Sequence, residues 1–411
     1  MPNRVVVTGY GAVTPLGLNI EDTWRNLIAG VSGVDYISLF DTTDFKVKIA
    51  AEVRGFNATD YLDPATARRT DRFAQFAIAA SLQAMENARL KINDSNRYDV
   101  GILIGSGVGG IDSLAQQLGV LNTRGPSRVS PYLIPMMIAD SAPGQLSIIT
   151  GIRGANFSMI SACATGTDAI GMAYKIVKWG EIKVMVAGGT DAAVTPIGLA
   201  GFSQTGALSR NADPKRASRP FDAQRDGFVV GEGAAVLVLE NLEYAKSRGA
   251  NILAEIIGYG ATSDAFHVTQ PQEDGEAAAR AIELALAGVD YSEVGYINAH
   301  GTSTPLNDAS ETRAIKRVFG SRAYDIPVSS TKSMVGHMMG AAGALEAIVC
   351  CKVVNEGIIP PTINLEHPDP ECDLDYVPSV ARSAEVRIAV SNSFGFCGHN
   401  AAITISRFCD S

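Results

Sequence analysis

Ten short apolar runs rich in β-branched residues punctuate the chain. In the first part they cover residues 4–8, 100–104, 156–161, 183–187 and 234–239. In the second they cover 252–258, 294–298, 326–329, 387–390 and 402–406. Alanine-rich stretches with helical spacing lie between many of them, at 72–88, 167–180, 275–287 and 340–356. Strands alternating with helices predict an α/β fold with largely parallel sheets. The strand candidates are nearly continuous in apolar character, which predicts sheets covered on both faces.

The pattern divides near residue 250. About five strand candidates fall on each side, and each side places its reactive residues just after strands. Two similar halves are expected, 1–250 and 251–411. The break at 247–250 carries no long linker, so the halves are expected to pack together.

Composition narrows the function classes. Hydrophobic residues make up 46% of the 411 and charged residues 19%, which excludes a disordered or fibrous chain. Lys and Arg total 34 against 43 Asp and Glu, a net charge of −9, with no dense basic run to hold nucleic acid. Mean hydropathy is +0.11. Yet no apolar run approaches the roughly 18 residues of a spanning helix. The excess is read as a large core or a subunit interface, with no membrane span. Residues 1–7 lack the charged region and cleavage site of a secretory leader. None of the six cysteines forms a CxxC pair, so neither zinc nor a redox motif is indicated, and reduced thiols in the cytoplasm fit best.

One glycine motif needs separate treatment. Residues 105–110, GSGVGG, follow a strand and match a dinucleotide fingerprint. The acidic residue expected about 20 positions later is missing, since 124–134 hold none. A tight turn where backbone passes close to something is the better reading.

Cys163 sits in Ser161-Ala162-Cys163-Ala164-Thr165-Gly166-Thr167, between a predicted strand and a predicted helix. A sulfur at a helix N-terminus is expected to favour the thiolate. Small neighbours leave room for a substrate. Taken alone, the context suits an inert buried cysteine equally well. Cys350 and Cys351 lie among apolar helical residues and read as core. His300 and His337 both follow strands, flanked by glycine and hydroxyl residues, where α/β folds build sites. No HExxH occurs. A papain-like Cys–His hydrolase has no place for a second histidine with Lys332 five residues before it.

Together these segments resemble the β-ketoacyl-[acyl-carrier-protein] synthases of the thiolase superfamily, in particular the elongating branch. The likeness runs from Val5–Gly11 through Ser218–Asp222, Arg225–Phe228, Asn298–Pro305 and Ser329–Glu346 to Ser391–Phe396. The Cys, His, His order separates it from type III synthases and from thiolases. The resemblance implies a thiolase-like five-layer αβαβα fold with two similar halves, and a homodimer. It implies that Cys163 carries the acyl chain while His300 and His337 stabilise an enolate. Cys163 and Phe396 would supply backbone N–H groups to a second oxyanion, with Phe396 as gate.

By the same resemblance, Lys332 organises the site and pairs with Glu346. Thr269, Thr302 and Thr304 would hold the pantetheine arm, and Val108 would bound the acyl pocket. No cofactor is required, because phosphopantetheine arrives on the acyl carrier protein. Asn298, Glu346, Ser391 and Asn392 match a structural monovalent-cation site. Arg68, Arg69 and Arg72, expected on one helical face, would form the landing patch for an acidic carrier protein. The sequence departs from the family pattern at Cys397, commonly glycine, in the gate loop. Two neighbouring readings share the fold: a type II polyketide ketosynthase, and a non-catalytic chain-length partner. The latter lacks the nucleophilic cysteine that is present here.

Overall fold

The computed structural model describes residues 2–410. The large sheet takes five strands from the first half: β1 (Val5–Val13), β2 (Val100–Gly105), β3 (Asn156–Phe157), β4 (Val184–Asp191) and β5 (Gly233–Asn241). Five come from the second: β6 (Ala254–Ser263), β7 (Val294–Asn298), β8 (Val328–Ser329), β9 (Ile388–Gly395) and β10 (His399–Ser406). Their spatial orders are β3-β2-β4-β5-β1 and β8-β7-β9-β10-β6. Counted from each half's first strand, both read third, second, fourth, fifth, first. The directions repeat as well. The outer strand pairs β3·β2, β2·β4, β8·β7 and β7·β9 are parallel. The pairs β4·β5, β5·β1, β9·β10 and β10·β6 are antiparallel.

The halves share more than a packed face. β1 and β6 pair antiparallel at Val5–Val7 against Ala254–Ile256, which joins the strands into one ten-stranded ladder. The sequence pattern predicts the strands but not this splice, because a three-residue pairing leaves no periodic trace.

Five helices build the remaining layers: α1 (Arg72–Asn87), α2 (Thr165–Lys178), α3 (Glu276–Ala285), α4 (Pro305–Phe319) and α5 (Ala342–Glu356). α1 covers β1, β4 and β5, while α3, backed by α4, covers β6 and β10. α2 and α5 lie between the halves, touching each other and strands of both. The stack is therefore αβαβα. α5 is buried from Ala342 to Val354 apart from Lys352, as its all-round apolar sequence requires. The two central helices cross in near-contact. A Cβ at Gly343 would lie 2.1 Å from Thr167 Oγ1, so only glycine admits the crossing.

One strand is shorter than its sequence. The run 156–161 yields only Asn156–Phe157, both exposed at the sheet edge. Residues 158–161 leave the ladder to form the approach to Cys163.

Candidate active site

Cys163 lies in a 3₁₀ turn, Ala162–Ala164, immediately before α2. Ala162 adopts φ 51, a left-handed conformation that costs an L-residue roughly 1–2 kcal/mol. The side chain of Thr165 ties the turn, accepting from Ser161 N–H at 2.9 Å and donating to the Ala162 carbonyl at 2.7 Å. Beside it opens a cavity of about 360 Å³ lined by Cys163, His300, His337, Thr269, Thr302, Thr304 and Phe396. Residues from both halves thus meet in one space.

Burial pushes the Cys163 thiol up to about 11, against the opposing pull of the Phe396 N–H and the Lys332 charge. The expected thiolate at a helix end is not the resting form. Desolvation of the anion outweighs the helix terminus.

The two imidazoles sit with ring centroids 5.4 Å apart and planes at 85°. Burial, reinforced by the Lys332 charge, holds both well below the usual histidine range, so both are neutral. His337 Nδ1 accepts from Met339 N–H at 3.3 Å, which places the ring proton on Nε2. That Nε2 is buried and has no protein partner. His300 is held through its backbone: its N–H and that of Gly301 each donate to Glu311 at 2.8 Å.

Lys332 and Glu346 form an ion pair that is almost wholly buried. Burial raises the Glu346 carboxyl and the Lys332 charge opposes the rise. Removing either partner leaves an uncompensated buried charge. Glu346→Ala and Lys332→Ala are each expected to destabilise the fold by about 3–5 kcal/mol. Replacing both with Met and Leu should cost less than either alone. Equilibrium denaturation of the four proteins checks the order.

Near this pair, four buried oxygens have no protein partner: Asn298 Oδ1, Glu346 Oε2, Ser391 Oγ and Asn392 Oδ1. Ser391 stands directly opposite Asn298 in the β9·β7 pairing. These are the four residues matched to a monovalent cation, and an all-oxygen donor set fits a hard ion. Among the described residues, no group of three His, Cys, Asp or Glu side chains is placed to hold a metal.

The GSGVGG turn has a resident anion. Gly107 and Val108 N–H and Ser106 Oγ donate to the buried carboxylate of Asp191 at 2.9, 3.1 and 2.7 Å. Gly340 N–H, just before α5, adds a bond at 2.6 Å. Backbone donors that suggest a phosphate cradle serve the chain's own aspartate. Neither Asp191 nor Glu311 is visible in the sequence as a site residue. Each is an ordinary acid until the fold buries it, and burial pushes Glu311 up to about 7.

Three expectations are corrected. Val108 is 36% exposed and is not among the residues that line this cavity; its backbone N–H is bonded to Asp191. Arg68, Arg69 and Arg72 do not share a helix: one short helix ends at Ala67 and Arg72 opens α1. Arg72 is not available to a partner. Its guanidinium bonds Glu232 at 2.7 Å and the Val53 carbonyl at 2.9 Å. Arg68 and Arg69 are exposed.

The gate-loop departure has a backbone consequence. Cys397 is exposed with φ 63 and ψ 14. Its N–H donates to the Val268 carbonyl at 2.7 Å. Left-handed strain of roughly 1–2 kcal/mol exceeds the roughly 0.5–1 kcal/mol entropy penalty of glycine. Cys397→Gly is expected to stabilise the protein by about 1 kcal/mol, read as a higher denaturant midpoint with unchanged slope.

Comparison with known proteins agrees with this architecture. The beta-ketoacyl synthase N-terminal domain matches residues 2–245 and the C-terminal domain 253–366. A 3-oxoacyl-[acyl-carrier-protein] synthase 2 of Synechocystis sp. is 51% identical over 408 residues, 98% of each chain. Its namesake in Staphylococcus aureus is 48% identical over 407 residues, again 98% of each. Among solved structures, a type II polyketide ketosynthase in complex with its acyl-carrier protein superposes with TM-score 0.92 at 34% identity, covering 99% of this chain and 100% of that one. With the repeated half-sheets and the Cys–His–His cavity, these likenesses assign the chain to the β-ketoacyl synthase family.

Proposed function

We propose that this chain performs the decarboxylative Claisen condensation of fatty-acid elongation, joining an acyl thioester to malonyl-[acyl-carrier protein]. The observation that carries the reading is the cavity itself. A thiol and an unpartnered imidazole Nε2–H meet there beside a hydroxyl-lined wall.

Cys163 Sγ attacks the acyl thioester, forming a new S–C bond as the bond to the pantetheine sulfur breaks. The thiol proton leaves with the pantetheine sulfur. The Phe396 N–H already lies within hydrogen-bond reach of Sγ, and with the Cys163 N–H it would receive the oxyanion of the tetrahedral intermediate. The malonyl unit then loses carbon dioxide, and the electron pair of the broken C–C bond becomes an enolate. His300 and His337, both neutral, donate to its oxygen. The enolate carbon attacks the acyl carbonyl, the S–C bond to Cys163 breaks, and the thiolate regains a proton from solvent. Lys332 and Glu346 hold the local charge. Thr269, Thr302 and Thr304 suit an arm of neutral amides, and Phe396 gates entry.

Asn298, Glu346, Ser391 and Asn392 would hold a monovalent cation, which supplies positive charge to their buried oxygens. The acyl carrier protein is the partner, with Arg68 and Arg69 as the exposed cations that suit its acidic surface. A homodimer in the cytoplasm completes the reading. The open edge at β3 and the exposed Ile148, Phe157 and Ile160 beside it support a self-paired interface. We assign residues 1–250 and 251–411 to the two halves.

Intact-protein mass measurement tests the function. Acyl carrier protein loaded with a long chain should add one acyl mass at Cys163. Malonyl carrier protein should then discharge it as a chain two carbons longer. An acyl mass that forms elsewhere, or that malonyl carrier protein fails to discharge, sinks the reading. Varying the acyl length separates fatty chains from the longer poly-β-keto chains of a polyketide ketosynthase.

A further inference from the structure

Outside the cavity, one buried carboxylate lies against the turn that carries Cys163, and none of the steps above uses it. Asp168 is in the first turn of α2 and is 6% exposed. One of its oxygens accepts from Ser161 Oγ, two residues before Cys163. The other accepts from Tyr259 Oη at 2.7 Å. Tyr259 belongs to β6, in the opposite half of the molecule.

The tyrosine is seated, not merely adjacent. A Cβ at Gly171 would lie 2.1 Å from Tyr259 Cδ2, so glycine makes room for the ring. Lys175 Nζ lies 4.8 Å from the ring centroid. Asp168, Gly171 and Lys175 are three and four residues apart, hence on one face of α2. That face forms a socket for one residue of the other half.

The turn needs such an anchor. Ser161 has φ −146 and ψ 45, and Ala162 takes a left-handed φ of 51 with no glycine to ease it. Strained backbone persists only where its surroundings over-determine it. The bond from Ser161 to Asp168, itself fixed by Tyr259, provides that determination. Burial raises the Asp168 carboxyl, and the bonds from Ser161 and Tyr259, with Lys175 and with His399 at the start of β10, oppose the rise.

We infer that Asp168 is a positioning residue: it clamps Ser161 to Tyr259 and so registers the Cys163 turn against the half that carries His300 and His337. The inference rests on Cys163 being the acylated residue.

The test is single-turnover acylation of Cys163, followed by mass, with malonyl decarboxylation measured in parallel. Displacing a reacting atom by about 1 Å can cost ~10²-fold. Asp168→Ala should slow acylation by roughly 10- to 100-fold, with KM for the acyl thioester within about twofold. Decarboxylation, which depends on the imidazoles, should change far less. Asp168→Asn should recover most of the rate, because its amide still meets both hydroxyls. Tyr259→Phe and Ser161→Ala, which each remove one oxygen, should fall between and keep the test alive if Asp168→Ala fails to fold. Wild-type acylation in all four variants, or equal losses in acylation and decarboxylation, would overturn the inference. Absence of acylation in the unmodified protein would instead overturn the proposed function.

Discussion

Cys163→Ala should lower condensation by roughly 10⁴-fold or more and abolish the acyl adduct, while malonyl decarboxylation continues. Condensation runs through a covalent acyl-enzyme, and among the described residues Cys163 is the sole thiol lining the cavity. Cys350 and Cys351 are fully buried in α5, so neither can substitute. Decarboxylation needs only donors for the enolate oxygen, and the alanine leaves both imidazoles untouched. Release of carbon dioxide and acyl mass are measured on the same sample. A variant that still condenses at an appreciable rate would refute the role given to the sulfur. Since burial holds the thiol up near 11, alkylation of the unmodified protein should also accelerate steadily between about pH 7 and 10.

His300→Ala and His337→Ala carry the second large effect. Each removes a neutral donor aimed into a site where it needs no reorganisation. Loss of one such donor costs about 10²- to 10³-fold. Decarboxylation and condensation should fall together by that factor, while the acyl mass on Cys163 still forms. Loss of acylation with retained decarboxylation would invert the assignment.

The same histidines give a stability signature. Native His300 and His337 are held neutral well below the usual range, whereas in the unfolded chain they bind protons below about pH 6.5. The unfolded state then holds more protons, so stability falls as pH drops below about 6.5. Replacing both with Phe should flatten that limb in a denaturation series.

Much of the fold and the site is legible in the amino-acid sequence. The strand at 294–298 and the four long alanine-rich helices follow from periodicity, since burying an apolar face is a local property of sequence. Cys163, His300, His337 and Lys332 stand out because reactive side chains among glycines and hydroxyls at strand ends are uncommon. Three things are not legible there. Arg72 reads as a surface cation, but Glu232, 160 residues away, takes its charge. The resemblance puts Val108 on the pocket wall, but it does not line this cavity, and its N–H is bonded to Asp191. The thiol reads as activated, but burial reverses the sign.

The sequence by itself determined the alternation of strands and helices and the two-part division, and it singled out the candidate reactive residues. Those depend on neighbours a few positions apart. Tertiary structure alone decided the three-residue splice between β1 and β6, the partners of the buried carboxylates, the tautomer of His337 and the protonation of Cys163. Each of those depends on groups brought together from distant parts of the chain, where desolvation and a single hydrogen bond outweigh any local preference.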